Sequence, residues 1–167
     1  MDDLTETVKV SDHYKEDLYE NEMPREKTVQ LVVCRLNREW YGVEITKVKE
    51  VIRVGKITYL PSSPDHIAGI VNLRGYILSV TDLKKIFGLP HEKPTERTRI
   101  IAVEYGVLET GFLVDEVVES IEVSVTKIEI PLLTLPSEEA KYLTGQCRLE
   151  DKLIAIVNVE KILEKSA

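Results

Sequence analysis

Charged residues gather in two stretches of this chain whose types and spacing suit binding rather than catalysis. Arg74 precedes Gly75 between two apolar runs. A guanidinium on so tight a turn has a rigid base and can grip a carboxylate through two parallel hydrogen bonds; a solvated turn arginine leaves the same trace in a sequence. Lys47, Lys49, Glu50 and Arg53 border an apolar stripe of Ile45, Val48 and Ile52. An apolar seam with charged borders suits a protein interface. A barrel core with a charged outer face has the same pattern, and core is the expectation for Ile45 and Ile52.

Other chemistries lack their residues. His13, His66 and His91 show no metal-ligand spacing, and Cys34 and Cys147 stand too far apart to complete a zinc site. There is no G-x-S-x-G elbow, phosphate-binding loop or dinucleotide fingerprint. Asp115-Glu116 and Glu138-Glu139 are adjacent carboxylates, and neighbours on a strand point to opposite faces, so solvated surface is expected for both pairs. The sequence therefore predicts no enzyme, no cofactor and no metal. The net charge of -7 argues against a dedicated nucleic-acid binder, because phosphate repels an acidic surface. No apolar run approaches the ~18 residues that cross a bilayer. The N-terminus lacks the basic and apolar regions of a secretory signal. Cys34, inside an apolar run, reads as a small buried hydrophobe. Without a disulfide framework, a reducing cytoplasm is the expected compartment.

The elements that must carry these residues are short. Residues 1–27 are acidic and polar, and the expectation is a mobile arm, with any helix over 13–22 stopped by Pro24. Residues 28–167 have a globular texture, in keeping with an apolar share of 43%. Gln30 to Leu36 is nearly continuous in apolar character, as in a strand covered on both faces. A turn at Asn37-Arg38-Glu39 returns it through Trp40 to Val43 as a hairpin. The spacing of Ile45, Val48 and Ile52 predicts a turn or two of helix or a bent strand. Ile57 to Leu60 reads as a short strand ended by Pro61, and Ser63-Pro64 as a helix start. Ile67 to Leu73 and Tyr76 to Val80 flank Arg74-Gly75 as a second hairpin. Asp82 can cap a short helix through Phe87, with Gly88 ending it.

Much of this plan occurs twice. The stretch from Gly69 aligns without a gap on that from Gly145: Leu73 with Leu149, Ile77 with Leu153, Val80 with Ile156, Asp82 with Asn158, Ile86 with Ile162. Upstream, Leu31 to Leu36 aligns with Ile100 to Tyr105, Gly42 with Gly111, Val48 with Val117 and Glu50 with Glu119. The first repeat spans about 29–90 and the second about 98–165, with an insertion in the second near Pro131 to Ser137. Each repeat carries a full strand set with its own closing helix. Short strands in duplicate predict two small β-barrels packed together, one per repeat, with a single larger sandwich as the alternative. The repeats differ at the turn, where Arg74-Gly75 faces Glu150-Asp151, and at Lys47 and Lys49, where Glu116 and Val118 stand.

Several motifs resemble one family. Trp40-Tyr41-Gly42-Val43-Glu44-Ile45 with Val48 and Glu50 is similar to the E-Y-G-[IV]-[DE]-I…V-x-E segment of the CheW chemotaxis coupling proteins. So is Gly69-Ile70-Val71-Asn72-Leu73-Arg74-Gly75 followed by Val80-Thr81-Asp82-Leu83. Gly111 to Asp115 and Tyr142 to Gly145 match in the same order, so the resemblance covers about Val29 to Leu163. It departs at Trp40, where an acidic residue is usual, and in the long acidic arm. The resemblance implies a mostly β fold: two SH3-like five-stranded β-barrels packed on a shared apolar interface, with short helices including a C-terminal one. It also implies a non-catalytic cytoplasmic adaptor linking methyl-accepting chemoreceptor tips to the regulatory domain of the histidine kinase CheA, recruited to receptor arrays without entering the membrane. Carried over by residue, receptor contact falls on Val48, Glu50 and Arg74, with Ile45 and Asn72 in support; kinase-contacting residues stay unassigned. Two other readings stand beside it: a paralogue serving a non-chemotaxis kinase, and a small barrel that binds nucleic acid or another ligand.

Overall fold

The computed structural model describes residues 26–130 and 137–166. The expected N-terminal arm and most of the expected insertion lie outside the described residues. The described chain forms ten strands: β1 (Thr28–Leu36), β2 (Glu39–Glu44), β3 (Val48–Arg53), β4 (Ile67–Leu73), β5 (Tyr76–Asp82), β6 (Arg99–Tyr105), β7 (Leu108–Val114), β8 (Glu116–Ser124), β9 (Leu143–Leu149) and β10 (Lys152–Val157). Three short α-helices accompany them: α1 (Leu83–Ile86), α2 (Ser137–Ala140) and α3 (Val159–Ser166).

The strands make two five-stranded sheets, in the orders β8-β1-β2-β10-β9 and β3-β6-β7-β5-β4. The paired-barrel expectation holds in number and size, but the assignment of one barrel to each repeat does not. The first sheet takes β1 and β2 from the first repeat and three strands from the second; the second sheet does the reverse. Each repeat lends a hairpin to the other's barrel, through parallel pairing of β2 with β10 and of β7 with β5. Strand lengths fit this exchange. The nine-residue β1 pairs with the nine-residue β8, and the seven-residue β6 with the six-residue β3. Within one repeat, β1 would have only the shorter β3 beside it and would leave ladder groups unpaired.

A single backbone bridge joins the edges of each sheet. Thr58 and Ile70 exchange two hydrogen bonds of 2.8 and 2.9 Å, and Glu129 and Gln146 exchange two of 2.8 Å. The glycines that open the repeat lie next to these bridges. A Cβ on Gly69 would fall 2.3 Å from the Thr58 carbonyl oxygen, and one on Gly145 would fall 3.0 Å from that of Glu129. The glycines are there because the closing segment passes too close for a side chain. The expected strand over Ile57 to Leu60 reduces to this one bridge at Thr58.

Three apolar clusters hold the fold. One lies within the first sheet (Leu31, Val33, Ile121, Cys147, Ile154, Ile156), one within the second (Val71, Leu78, Val80, Ile100, Ala102), and the largest lies between them. That third cluster takes Val32, Cys34 and Leu36 from β1, Ile101 and Val103 from β6, and Leu83, Ile162 and Leu163 from the helices. Alternate residues of β1 therefore face a barrel interior and the shared interface, as expected for a strand apolar on both sides. Fully burying each Leu or Ile contributes roughly 1.5–3 kcal/mol. Tyr41 and Phe87 stack in the same cluster with ring centroids 5.0 Å apart.

The cap at Asp82 occurs as expected, and Asn158, its counterpart in the second repeat, caps α3 in the same way. Asp82 Oδ1 accepts from the Lys84 N–H at 3.0 Å, and Asn158 Oδ1 from the Lys161 N–H at 3.1 Å. No helix begins at Ser63. Its hydroxyl donates to the Leu60 carbonyl, and two residues beyond Pro64 the His66 carbonyl accepts from the Asp82 N–H, so the backbone is already committed to the second sheet.

Candidate functional site

The hairpin turn between β4 and β5 places the most prominent charged group on the surface. Arg74 takes φ 50° and Gly75 φ 92°, the paired positive values of a two-residue hairpin turn. Asn72 builds this turn: its Oδ1 accepts from the Gly75 N–H at 3.0 Å. Arg74 Nη2 donates to both carboxylate oxygens of Glu50, which projects from β3 on the neighbouring edge of the same sheet. The hydrogen bond to Glu50 raises the Arg74 pKa above its ordinary value. The arginine side chain keeps 70% of its surface exposed, so most of the guanidinium is available to a further partner.

Beside this pair, Lys49 Nζ donates to Glu109 at 3.1 Å, lies 3.8 Å from Glu104 and sits 5.7 Å from the centre of the Tyr76 ring. The hydrogen bond to Glu109 raises its pKa too. Val51, Tyr76 and Ile77, all on β3 or β5, are exposed apolar side chains. Tyr76, Ile77, Glu104 and Glu109 escaped sequence reasoning. The available signal was Tyr76-Ile77 directly after the turn, where two consecutive apolar residues on a strand cannot both face inward.

Three of the five nominated residues thus come together: Glu50, Asn72 and Arg74. Val48, the first residue of β3, is half-buried and packs inward against the shared cluster. Ile45 lies apart, in a 3₁₀ turn over Ile45–Lys47 that carries the chain from one sheet to the other. It lines a groove with Thr28, Gln30, Glu44 and Glu122 of the first sheet, and its exposure of 37% overturns the expectation of core. Ile52 does pack against the interior of the second sheet.

Asp115 and Glu116 are structural rather than solvated, whereas Glu138 is solvated as expected. Asp115 ion-pairs with Lys84 at 2.9 Å, with side-chain exposures of 17% and 8%, and accepts from the Asn37 N–H at 2.6 Å. Glu116 pairs with Arg35 at 3.3 Å. Glu138 and Glu139 lie on a helix, not a strand, and Glu138 meets Lys141 at 3.0 Å. Asp115 and Lys84 bind the β1–β2 turn to α1 where the two sheets meet. At the other junction Glu160 of α3, the counterpart of Lys84, pairs with Lys47 at 2.8 Å, so that there the helix carries the acid and the connecting turn the base. The hydrogen bond that Lys47 donates to Glu160 raises the lysine's pKa. Cys34 and Cys147 are free and buried; burial pushes the Cys34 thiol up to about 12. Among the described residues no helix is long and apolar enough to cross a membrane.

This architecture and turn have known relatives. Residues 30–167 match the family model of the CheW-like domain. The chain is 30% identical over 138 residues to the chemotaxis protein CheW of Bacillus subtilis, covering 83% of this chain and 88% of that one. It is 29% identical over 140 residues to the chemotaxis protein CheW of Helicobacter pylori, covering 84% of each. The crystal structure of the scaffolding protein TtCheW from Thermoanaerobacter tengcongensis superposes with a TM-score of 0.73 at 36% identity, over 81% of this chain and 88% of that one.

Proposed function

Because the chain belongs to the CheW-like domain family, we propose that it acts as a non-catalytic scaffold in chemotaxis signalling, joining the cytoplasmic tips of methyl-accepting receptors to the histidine kinase CheA. The observation that carries this reading is the match over nearly the whole described chain to relatives named as chemotaxis proteins and to a scaffolding protein of known structure. Its place of work is the cytoplasmic side of membrane-associated receptor arrays.

We assign receptor contact to the face around Arg74 and Glu50. An exposed arginine beside exposed Tyr76, Ile77 and Val51 has the composition of an interface centre, where aromatic, apolar and Arg side chains concentrate. Glu50 orients the guanidinium, Asn72 holds the turn, and Val48 anchors the start of β3 to the shared cluster. Ile45, on its separate groove, is peripheral to that contact.

Reconstitution of receptor-containing membranes, CheA and this protein tests the role. Adding the protein raises CheA phosphorylation only when receptors are present; no change would end the scaffold reading. Co-sedimentation of an Arg74→Glu variant with receptor tests the face separately. The new carboxylate would oppose Glu50 and remove the guanidinium, so binding weakens about tenfold or more. A folded variant that sediments with receptor as the wild type does would move the contact elsewhere while leaving the scaffold role standing.

A further inference from the structure

Seven of the described cations are paired with acids. Arg35, Lys47, Lys49, Arg74, Lys84, Lys85 and Lys141 each stand within 4.0 Å of an Asp or Glu oxygen. Among the described cations without such a partner, Arg53, Arg97 and Arg99 stand out because all three line one groove at the end of the second sheet, where Glu96 is the one acidic lining residue. Arg53 of β3 stands directly opposite Arg99 of β6, and like charges so placed work against strand pairing. Arg99 Nη1 donates to the carbonyls of Glu96 and Thr98, at 2.7 and 2.9 Å. Arg53 and Arg97 are exposed.

The first sheet provides an internal control. At the repeat's upstream offset, Arg53, Arg97 and Arg99 correspond to Glu122, Thr28 and Gln30, which line the matching groove of that sheet. The backbone is the same there without any arginine, so the fold does not require the three guanidiniums. Their arrangement suits an anion of several charges. A long polyanion is disfavoured by the net charge of -7. An acid-rich segment is already attached to the chain: residues 1–25 contain eight acidic and three basic residues. Fully extended, 25 residues reach up to roughly 80 Å, against a radius of gyration of about 15 Å for a fold of this length. Tethering supplies an effective concentration of order mM, enough for weak surface ion pairs to act together.

We propose that the acidic segment 1–25 docks on the Arg53–Arg97–Arg99 groove of its own chain, as an electrostatic strap across the end of the second sheet. The contact is separate from the Arg74 face and stands or falls independently of the scaffold role.

Both native cysteines are buried, so a spin label can be directed to one added thiol in the full-length chain, Thr5→Cys. The strap broadens the amide NMR signals of Arg53 and of residues 95–99 by about twofold or more, and raising salt to roughly 1 M, where the Debye length falls to about 3 Å, abolishes the effect. Replacing the three arginines with serine abolishes it as well, with the remaining spectrum unchanged; a single Arg97→Ser variant, which touches only an exposed loop residue, halves it should the triple variant not fold. No broadening in the wild type, or equal broadening in a folded arginine variant, overturns the strap. So does equal broadening of an isotope-labelled, unlabelled-cysteine copy mixed with the spin-labelled chain, which would make the contact one between molecules.

Discussion

The turn after β4 and the turn after β9 occupy equivalent places in the two sheets and open on a residue of the same left-handed conformation, yet present opposite surfaces. Arg74 and Glu150 adopt φ 50° and 57°. Around Arg74 lie Glu50, Lys49 and the exposed Tyr76, with Asn72 bonding the turn from within. Around Glu150, Arg148 replaces Asn72, Lys152 replaces Tyr76, and Val118 and Glu119 replace Lys49 and Glu50. Lys152 lies 4.3 Å over the ring of Trp40, so a cation stands on this strand where the first repeat has the aromatic Tyr76. Polarity also inverts at the junctions, Lys84–Asp115 against Glu160–Lys47, and at the sheet ends, where Arg53 faces Glu122. A fold built from two equivalent repeats would otherwise offer a partner two equivalent faces. Inverting the charges leaves the packing alone and makes one docking register electrostatically favourable and its pseudo-symmetric twin repulsive.

Three pairs of substitutions test how far the halves differ. The largest effect belongs to the closing bridges. Gly69 takes φ 151° and its Cβ would meet a backbone oxygen, so Gly69→Ala lowers the unfolding free energy by about 3 kcal/mol, at the upper end for a strained backbone position. At Gly145 the closest atom to an added Cβ is the Ile128 Cγ2 at 2.7 Å, a side chain that can shift, so Gly145→Ala costs only about 1 kcal/mol. Urea midpoints at constant slope measure both, and equal losses would mean that the two closures are equally tight. The junctions come next. Lys84→Ala strands the half-buried Asp115 and costs about 2 kcal/mol, below the range for fully buried pairs because the Asn37 N–H still supports the carboxylate. Lys47→Ala removes a more exposed pair and costs about 0.5 kcal/mol. A larger loss for Lys47 in thermal unfolding would break the proposed asymmetry. The smallest effect is at the turns. Asn72→Ala removes one side-chain acceptor and costs about 1 kcal/mol, whereas Arg148→Ala, which removes an exposed side chain, changes stability by less than about 0.5 kcal/mol.

What could be read in advance was local. The helix cap at Asp82 needs only a short acceptor side chain and a following turn, so it was legible, and Asn158 repeats it. The β1–β2 and β4–β5 hairpins announced themselves through apolar runs flanking polar or glycine turns. Ser63-Pro64 carried an equally good local signal for a helix, and long-range hydrogen bonding to β5 overruled it. Asp115-Glu116 looked solvated because nothing nearby in sequence reveals that Lys84 and Asn37 arrive beside it. Arg74 and Glu50 were each nominated, but their meeting depends on the two edges of one sheet curling together, which neither stretch encodes alone. Ile45 misled because an apolar spacing of three and four reads as core, while its 3₁₀ turn is spent crossing between sheets.

The amino-acid sequence by itself determined where the apolar runs and hairpin turns fall, which residues would be apolar on both faces, that Asp82 would cap a helix, and that the plan would occur twice. Those features follow from residue type and spacing within a few positions. Which repeat's hairpin enters which barrel was decided only in three dimensions. Two repeats with the same apolar pattern offer each strand nearly the same neighbours, so the pattern cannot choose between pairing within a repeat and pairing across. Strand length, the 3₁₀ crossing at Ile45–Lys47 and burial of the shared cluster make that choice together. The exchange brings first-repeat and second-repeat strands side by side in both barrels, so that Lys49 of one repeat meets Glu104 and Glu109 of the other beside the Arg74 turn.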